Sequence, residues 1–341
     1  MRNFMRTFVA VSLTSVCLLP ALSAQEKSAA KPKPKNRNKQ AWLSPADAPD
    51  FQLQGEYSGT VNTDNGEVKL GVQVIALGDG KFKSLAYLGG LPGDGYSPGD
   101  ETFPGEGELS DGKVKLQGEQ ASATIGDGQG VIHDLNGTPI GKLQRVVRKS
   151  PTLGQKPPRD AVVLFDGKSA DKFLNGKMTK DGLLQQGTKS KDTFGDFTLH
   201  FEFMLSYMPY ARGQGRSNSG VYMQARHEVQ VLDSFGLSGE HNECGGIYSV
   251  KKPDVNMCYP PLSWQTYDVE FTAAKFGADG KKAANARMTV RHNGVLIHDD
   301  VEVPKSTTAS PLKEGTEKGP IYIQNHGNPV RFRNIWVVPK S

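Results

Sequence analysis

The clearest pattern along the chain is an alternation with period two. Between Phe197 and Tyr207, the residues Phe197, Leu199, Phe201, Phe203 and Leu205 fall on one side, and Thr198, His200, Glu202 and Ser206 on the other. That spacing predicts a strand with one face in a core. Shorter stretches of the same kind recur at Gly220–Ala225, Glu228–Leu232, Thr266–Thr272, Arg287–His292, Val295–Asp299, Ile321–His326 and Val330–Val338, and Ala161–Gly167 opens the series. Asn293-Gly294 is a hairpin-turn signal. No long helical period competes. The pattern predicts an antiparallel two-sheet sandwich of jelly-roll type over residues 161–341.

Upstream the elements are shorter and the turns closer. Candidate strands are Phe51–Gly59, Val68–Ala76, Lys81–Tyr87, Lys113–Glu119, Ser122–Ile125, Gly130–His133 and Gly141–Val147. Asp64-Asn65-Gly66, Gly78-Asp79-Gly80 and Ser110-Asp111-Gly112 divide them. This predicts a small antiparallel β domain, a meander closing toward a barrel, over residues 45–149. The glycine-rich Gly89–Gly105 is expected to be a long loop. Residues 150–160, with Pro151, Pro157 and Pro158, form the linker. The fold class is therefore all-β, in two parts.

Composition changes the picture mainly at the N-terminus. Arg2 and Arg6 precede the apolar run Phe8–Leu22, and small residues Ala21, Ser23 and Ala24 follow. Residues 1–24 thus have the form of a secretory signal, which implies a periplasmic or extracellular protein. No later segment is apolar enough to cross a membrane, so an integral membrane protein is not expected. Residues 25–44 carry a basic tract with Pro32 and Pro34 and are expected to be a disordered tail. The formal charge of +5 loses Arg2 and Arg6 with the signal, and Gln25–Gln40 holds six basic residues against Glu26. The folded remainder is slightly acidic, which argues against a nucleic-acid binder. Cys244 and Cys258 remain after the signal, and a pair in an exported chain is expected to form a disulfide.

The candidate chemistry lies on the polar strand faces. His200 and Glu202 share one face. Gly220, Tyr222 and Gln224 share another. Glu228 and Gln230 alternate with Val229 and Val231, and Asp233 closes that strand. A hairpin over Arg226-His227 would make Tyr222 and Gln230 neighbours. Gln324 and His326 alternate with Ile321 and Ile323, and Arg331 and Arg333 flank Phe332. A solvated strand face is polar without any task. Carboxylates, amides, imidazoles, a phenol and guanidinium forks gathered on several strands are the mix a sugar site uses. Trp264 and Trp336 serve equally as stacking platforms or as core. No serine elbow, H-E-x-x-H or P-loop occurs, and Gly213-Gln214-Gly215 lacks the βαβ context of a dinucleotide site.

The segments VVLFDGKS (162–169), FTLHFEF (197–203), SNSGVYMQ (217–224), HEVQVLDS (227–234), CGGIYSVKKPDVNMCYPPLSWQTYDVEF (244–271), RHNGVLIHD (291–299) and GPIYIQNHGNPVRFRNIWV (319–337) resemble, in order, the 3-keto-disaccharide hydrolase family (3-keto-glucoside 1,2-lyase/hydratase). The resemblance covers the second domain and leaves residues 45–149 as an unassigned accessory module. It implies a concanavalin A-like sandwich acting on glucosides already oxidised at C3. The ketone acidifies the C2 hydrogen, a base removes it, and the C1 substituent is eliminated, with hydration of the product to follow. On that basis Glu202, Glu228, Asp233 and His326 are the catalytic candidates. His200, Tyr222, Gln230, Gln324, Arg331 and Arg333 are the substrate-binding candidates. The resemblance fixes no cofactor, and a divalent metal could hold the enolate. Two other classes stay open. Glu228-x-Gln230-x-x-Asp233 has the spacing of glucanase carboxylates but with Gln in the middle. A carbohydrate-binding module without turnover fits the same fold.

Overall fold

A computed structural model describes residues 36–340, which form β-strands joined by loops and short 3-10 turns. The signal expected over residues 1–24 lies outside the described residues. No described helix is long and apolar enough to cross a membrane.

The first part is a closed eight-stranded barrel. Its strands are β1 (Gly55–Thr63), β2 (Gly66–Gly78), β3 (Lys81–Leu88), β4 (Thr102–Ser110), β5 (Lys113–Gly118), β6 (Ser122–Gly126), β7 (Gln129–His133) and β8 (Pro139–Val146). Each pairs antiparallel with its sequence neighbour, and β8 closes on β1. Seven of these strands coincide with predicted ones. The eighth, β4, has no predicted counterpart: its start, through Gly105, falls in the expected loop Gly89–Gly105, and Pro104, Gly105 and Gly107 are residues that usually interrupt strands. Tertiary structure explains them. Gly107 faces Leu116 on β5, and a Cβ there would overlap the Lys115 carbonyl oxygen. The strands cross so closely at this point that only glycine fits.

The second part is a pair of facing antiparallel sheets. Sheet I runs in the order β9 (Val162–Phe165), β20 (Arg331–Pro339), β13 (Phe197–Met204), β16 (Trp264–Thr272), β17 (Ala286–His292) and β18 (Val295–Val303), with β11 (Leu184–Gln185) pairing β20 off this path. Sheet II runs β10 (Phe173–Leu174), β12 (Thr188–Phe194), β19 (Gly319–Ile323), β14 (Ser219–Met223) and β15 (His227–Val231). Leu199, Phe201 and Phe203 of sheet I share one core with Val221, Val229 and Ile323 of sheet II. Asn293 and Gly294 both take positive φ, as a two-residue β17–β18 turn requires. A bulge at Asn334 in β20 keeps Phe332 and Ile335 buried while Arg331 and Arg333 stay on the outer face.

The two parts pack on each other. Ile75 of β2 belongs to the sandwich core, and the Glu56–Arg148 ion pair lies beneath Tyr259. The end of the expected disordered tail is ordered, since Trp42 pairs with Tyr207 and packs on its ring. Gly107→Ala is expected to destabilise the barrel by about 1–3 kcal/mol through strand separation, measured as a lower urea midpoint.

Candidate functional site

The predicted site residues divide between the outer faces of the two sheets. On sheet I, His200 and Glu202 are fully buried beneath the linker. Glu202 receives the Arg333 Nε at 2.7 Å, the Asn334 amide at 2.9 Å and the Gly154 backbone N–H at 2.6 Å. His200 Nδ1 lies 2.6 Å from Asp268, which accepts from Thr152 Oγ1 at 2.8 Å. Trp336 stacks on His200, and Arg333 lies over Trp264 at 3.9 Å. Burial opposes the charge on Glu202, but the bonds from His200, Asn334, Arg333 and Gly154 outweigh it and hold the carboxyl at about 2. Burial likewise opposes the charge on His200, and the carboxylates of Asp268 and Glu202 raise it. This is a structural network in which every carboxylate is paired. Its open valences are filled by the linker, whose prolines deny it regular structure but leave its backbone free to bond sideways. Trp264 and Trp336 belong to it too.

The outer face of sheet II is different. The β14–β15 loop is Gln224–Arg226, with Gln224 and Ala225 at positive φ, so Met223 pairs with His227. The register therefore sets Tyr222 opposite Glu228 and Gly220 opposite Gln230, correcting the expected Tyr222–Gln230 pair. On the other side Tyr222 pairs with Tyr322 of β19, and the Gln324 backbone N–H bonds the Gly220 carbonyl. The Glu228 carboxyl lies directly over Gly220, where a Cβ would overlap its Oε1. Gly220 is thus needed for space, not for an unusual φ.

Burial pushes Glu228 up to about 8, against a hydrogen bond from the Tyr222 hydroxyl. Tyr222 is raised by burial and by the adjacent Glu228 charge, so it stays a neutral donor. Its oxygen also receives the Gln324 amide at 3.0 Å and lies 3.3 Å from the Thr308 carbonyl. Gln230 is held by Gln214 at 3.1 Å and by the Asn242 carbonyl at 3.3 Å. Tyr322, Gln324 and Tyr248 are half-buried and form the solvent side of the cluster. Tyr322 was legible in the alternation of Ile321 and Ile323. Tyr248 and Thr308 come from loops and carry no such signal.

The remaining candidates stand apart. Asp233 is buried in an ion pair with Arg216 at 2.8 Å, turned away from Glu228 and Gln230, so the glucanase spacing does not become a glucanase carboxylate set. His326 lies on the exposed loop beyond Gln324. Arg331 and Arg333 lie on sheet I. Cys244 and Cys258 are free buried thiols, not the disulfide expected. Cys244 Sγ meets the Tyr267 hydroxyl at 3.2 Å, and Cys258 Sγ is directed at the Leu232 and Tyr259 carbonyls. Among the described residues no three His, Cys, Asp or Glu side chains come together as a metal-ligand set.

The sandwich thus carries a buried carboxyl among phenols and amides on one outer face, and its family match places it in the class of carbohydrate-active proteins. Residues 160–338 match the model of the 3-keto-alpha-glucoside-1,2-lyase-like domain, more than half of the chain, and the chain belongs to that family. A solved candidate glycosyl hydrolase from Parabacteroides distasonis ATCC 8503 is 31% identical, the match covering 54% of this chain and 85% of that one with a TM-score of 0.48. A second candidate glycosyl hydrolase from the same organism is 16% identical over 57% of this chain and 99% of its own, with a TM-score of 0.40. No curated protein matches.

Two outcomes separate the faces. Glu202→Ala removes the acceptor of Arg333, Asn334 and the Gly154 N–H, and because Arg333 and Gly154 reach solvent it is expected to cost about 1–3 kcal/mol in urea unfolding at pH 7. Because Glu202 is depressed to about 2, that contribution is present above its ordinary pKa of 4.5 and fades as pH falls toward 2. Glu228 has the opposite sign. Between 4.5 and about 8 the folded chain holds a proton that the unfolded chain has lost. As pH rises through that window, wild type should therefore lose stability relative to Glu228→Gln by about 1.4 kcal/mol per pH unit. A pH-independent difference would show that Glu228 is not buried as a neutral acid.

Proposed function

We propose that the protein cleaves 3-keto-glucosides, with Glu228 as the proton-transfer group. The observation that carries this reading is a buried carboxyl pushed up to about 8, set beside a neutral phenol and two amides. Abstraction of a proton next to a ketone needs a base stronger than an ordinary carboxylate and donors that stabilise the enolate oxygen. In its ionised form Glu228 takes the C2 proton, and the C2–H electrons form the enolate. The second N–H of the Gln324 amide donates to that oxygen, while the Tyr222 hydroxyl holds Glu228. Re-formation of the ketone drives the electrons into a C1–C2 double bond as the C1–O bond breaks. The proton now on Glu228 passes to the departing oxygen. Addition of water across C1–C2 completes a net hydrolysis.

Gln230 stands in the neighbouring row, where Gln214 and the Asn242 carbonyl hold its amide and its oxygen accepts from the Val231 N–H, so its part is to position that row. The concanavalin A-like jelly-roll character of the sandwich is part of this proposal, as is export to the periplasm or medium. The sheet order, with one core between two antiparallel sheets, supports the first, and the leader-like residues 1–24 support the second. No step is routed through a metal. Hydrolysis of an unoxidised glucan is less favoured, because Asp233 is committed to Arg216 and does not supply a second carboxylate beside Glu228.

The test is release of the aglycone from a chromogenic 3-keto-glucoside, with the matching unoxidised glucoside as control. Release should be confined to the ketone. kcat/KM should climb with pH to a plateau above about 8, because the ionised Glu228 is the active form. Glu228→Gln should lower it at least about 100-fold. Gly220→Ala, which displaces the carboxyl without removing it, should lower it about tenfold or more. Equal activity on both glucosides would favour ordinary glycoside hydrolysis. Binding without turnover would favour a carbohydrate-binding role.

A further inference from the structure

The barrel has an asymmetric interior. Toward one end its inward positions are filled by Tyr57, Phe82, Val114, Ile125 and Leu143, all buried. Toward the other end the same strands turn inward Ser84, Ala86, Gly105, Gly118 and Ala123. The small residues leave a cavity of about 500 Å³. Its walls are Leu70, Val72, Leu116 and Ile132, with half-buried Leu88 and Phe103 nearer solvent. An eight-stranded barrel is just wide enough to be filled by side chains or to hold one small ligand. Here one half does the first and the other half has room for the second.

We infer that the open end of the barrel binds one uncharged, apolar small molecule. The volume lies within the range of small-molecule pockets. The deep walls are aliphatic and aromatic apart from Ser84, and the uncharged polar residues Asn62, Thr63, Gln120 and Ser122 stand toward the solvent-facing mouth. The charged residues that line the cavity are Asp64, Glu119 and Asp134, with no Lys, Arg or His among them. Anionic amphiphiles such as fatty acids are therefore disfavoured by charge, and a neutral molecule is selected. The site lies in the barrel, where the proposed sugar chemistry uses no residue. It gives the barrel a role of its own, independent of that reading.

The experiment is a fluorescence titration of the full chain with the neutral probe N-phenyl-1-naphthylamine, beside the anionic 8-anilinonaphthalene-1-sulfonate. Saturable uptake of one neutral probe per chain is expected, with the anion bound about tenfold or more weakly. Ala123→Trp, which projects an indole between Leu116 and Ile132, should weaken the neutral probe at least about tenfold. Ala123→Leu should weaken it less and covers the case where the larger side chain does not fold, as judged by circular dichroism. Glu228→Gln should bind the probe as wild type does. Unsaturable uptake, equal binding of the anion, or unchanged affinity in a folded Ala123 variant would overturn the inference.

Discussion

Packing two antiparallel sheets over one apolar core dictates where every charged group in the sandwich can stand. Phe201, Phe203, Val229 and Ile323 occupy the shared interior, so strand alternation sends His200, Glu202, Glu228 and Gln230 outward. Outward does not mean into water here. All four are buried, because loops close over both outer faces. A group buried in this way must either be paired or become neutral, which for a carboxyl means keeping its proton. The two sheets resolve that requirement in opposite ways.

On sheet I the charge is paired. Arg333, Asn334, Gly154 and His200 surround Glu202 and keep it ionised, and the linker supplies part of the ring. On sheet II the partner of Glu228 is a phenol, not a cation, so the carboxyl retains its proton near neutrality. The first arrangement stabilises one charge state over a wide pH range and serves structure. The second leaves two protonation states close in free energy, as proton transfer requires. Gly220 is what lets the second exist, because any side chain there would occupy the space of the carboxylate. The barrel is a third solution to filling space. It packs large residues at one end and small ones at the other, at the cost of a cavity.

Much of this architecture is legible in the pattern of residues. Period-two alternation needs only local geometry, so Phe197–Met204, the β14–β15 pair and the Asn293-Gly294 turn are all readable from the chain. Tyr222, Glu228, Gln230 and Gln324 are likewise recognisable as polar positions between apolar ones. The sequence by itself therefore determines an all-β chain of two parts, and which side chains leave the core. It does not determine β4, whose Pro104, Gly105 and Gly107 mimic a loop until close strand contact explains them. Nor does it determine which outward residues meet. Only the tertiary structure separates Glu202 from Glu228 and turns Asp233 onto Arg216. The physical reason is that hydrophobic pattern is a property of neighbours along the chain. Charge state, pairing and desolvation are properties of neighbours in space, brought by the linker and by loops that carry no period.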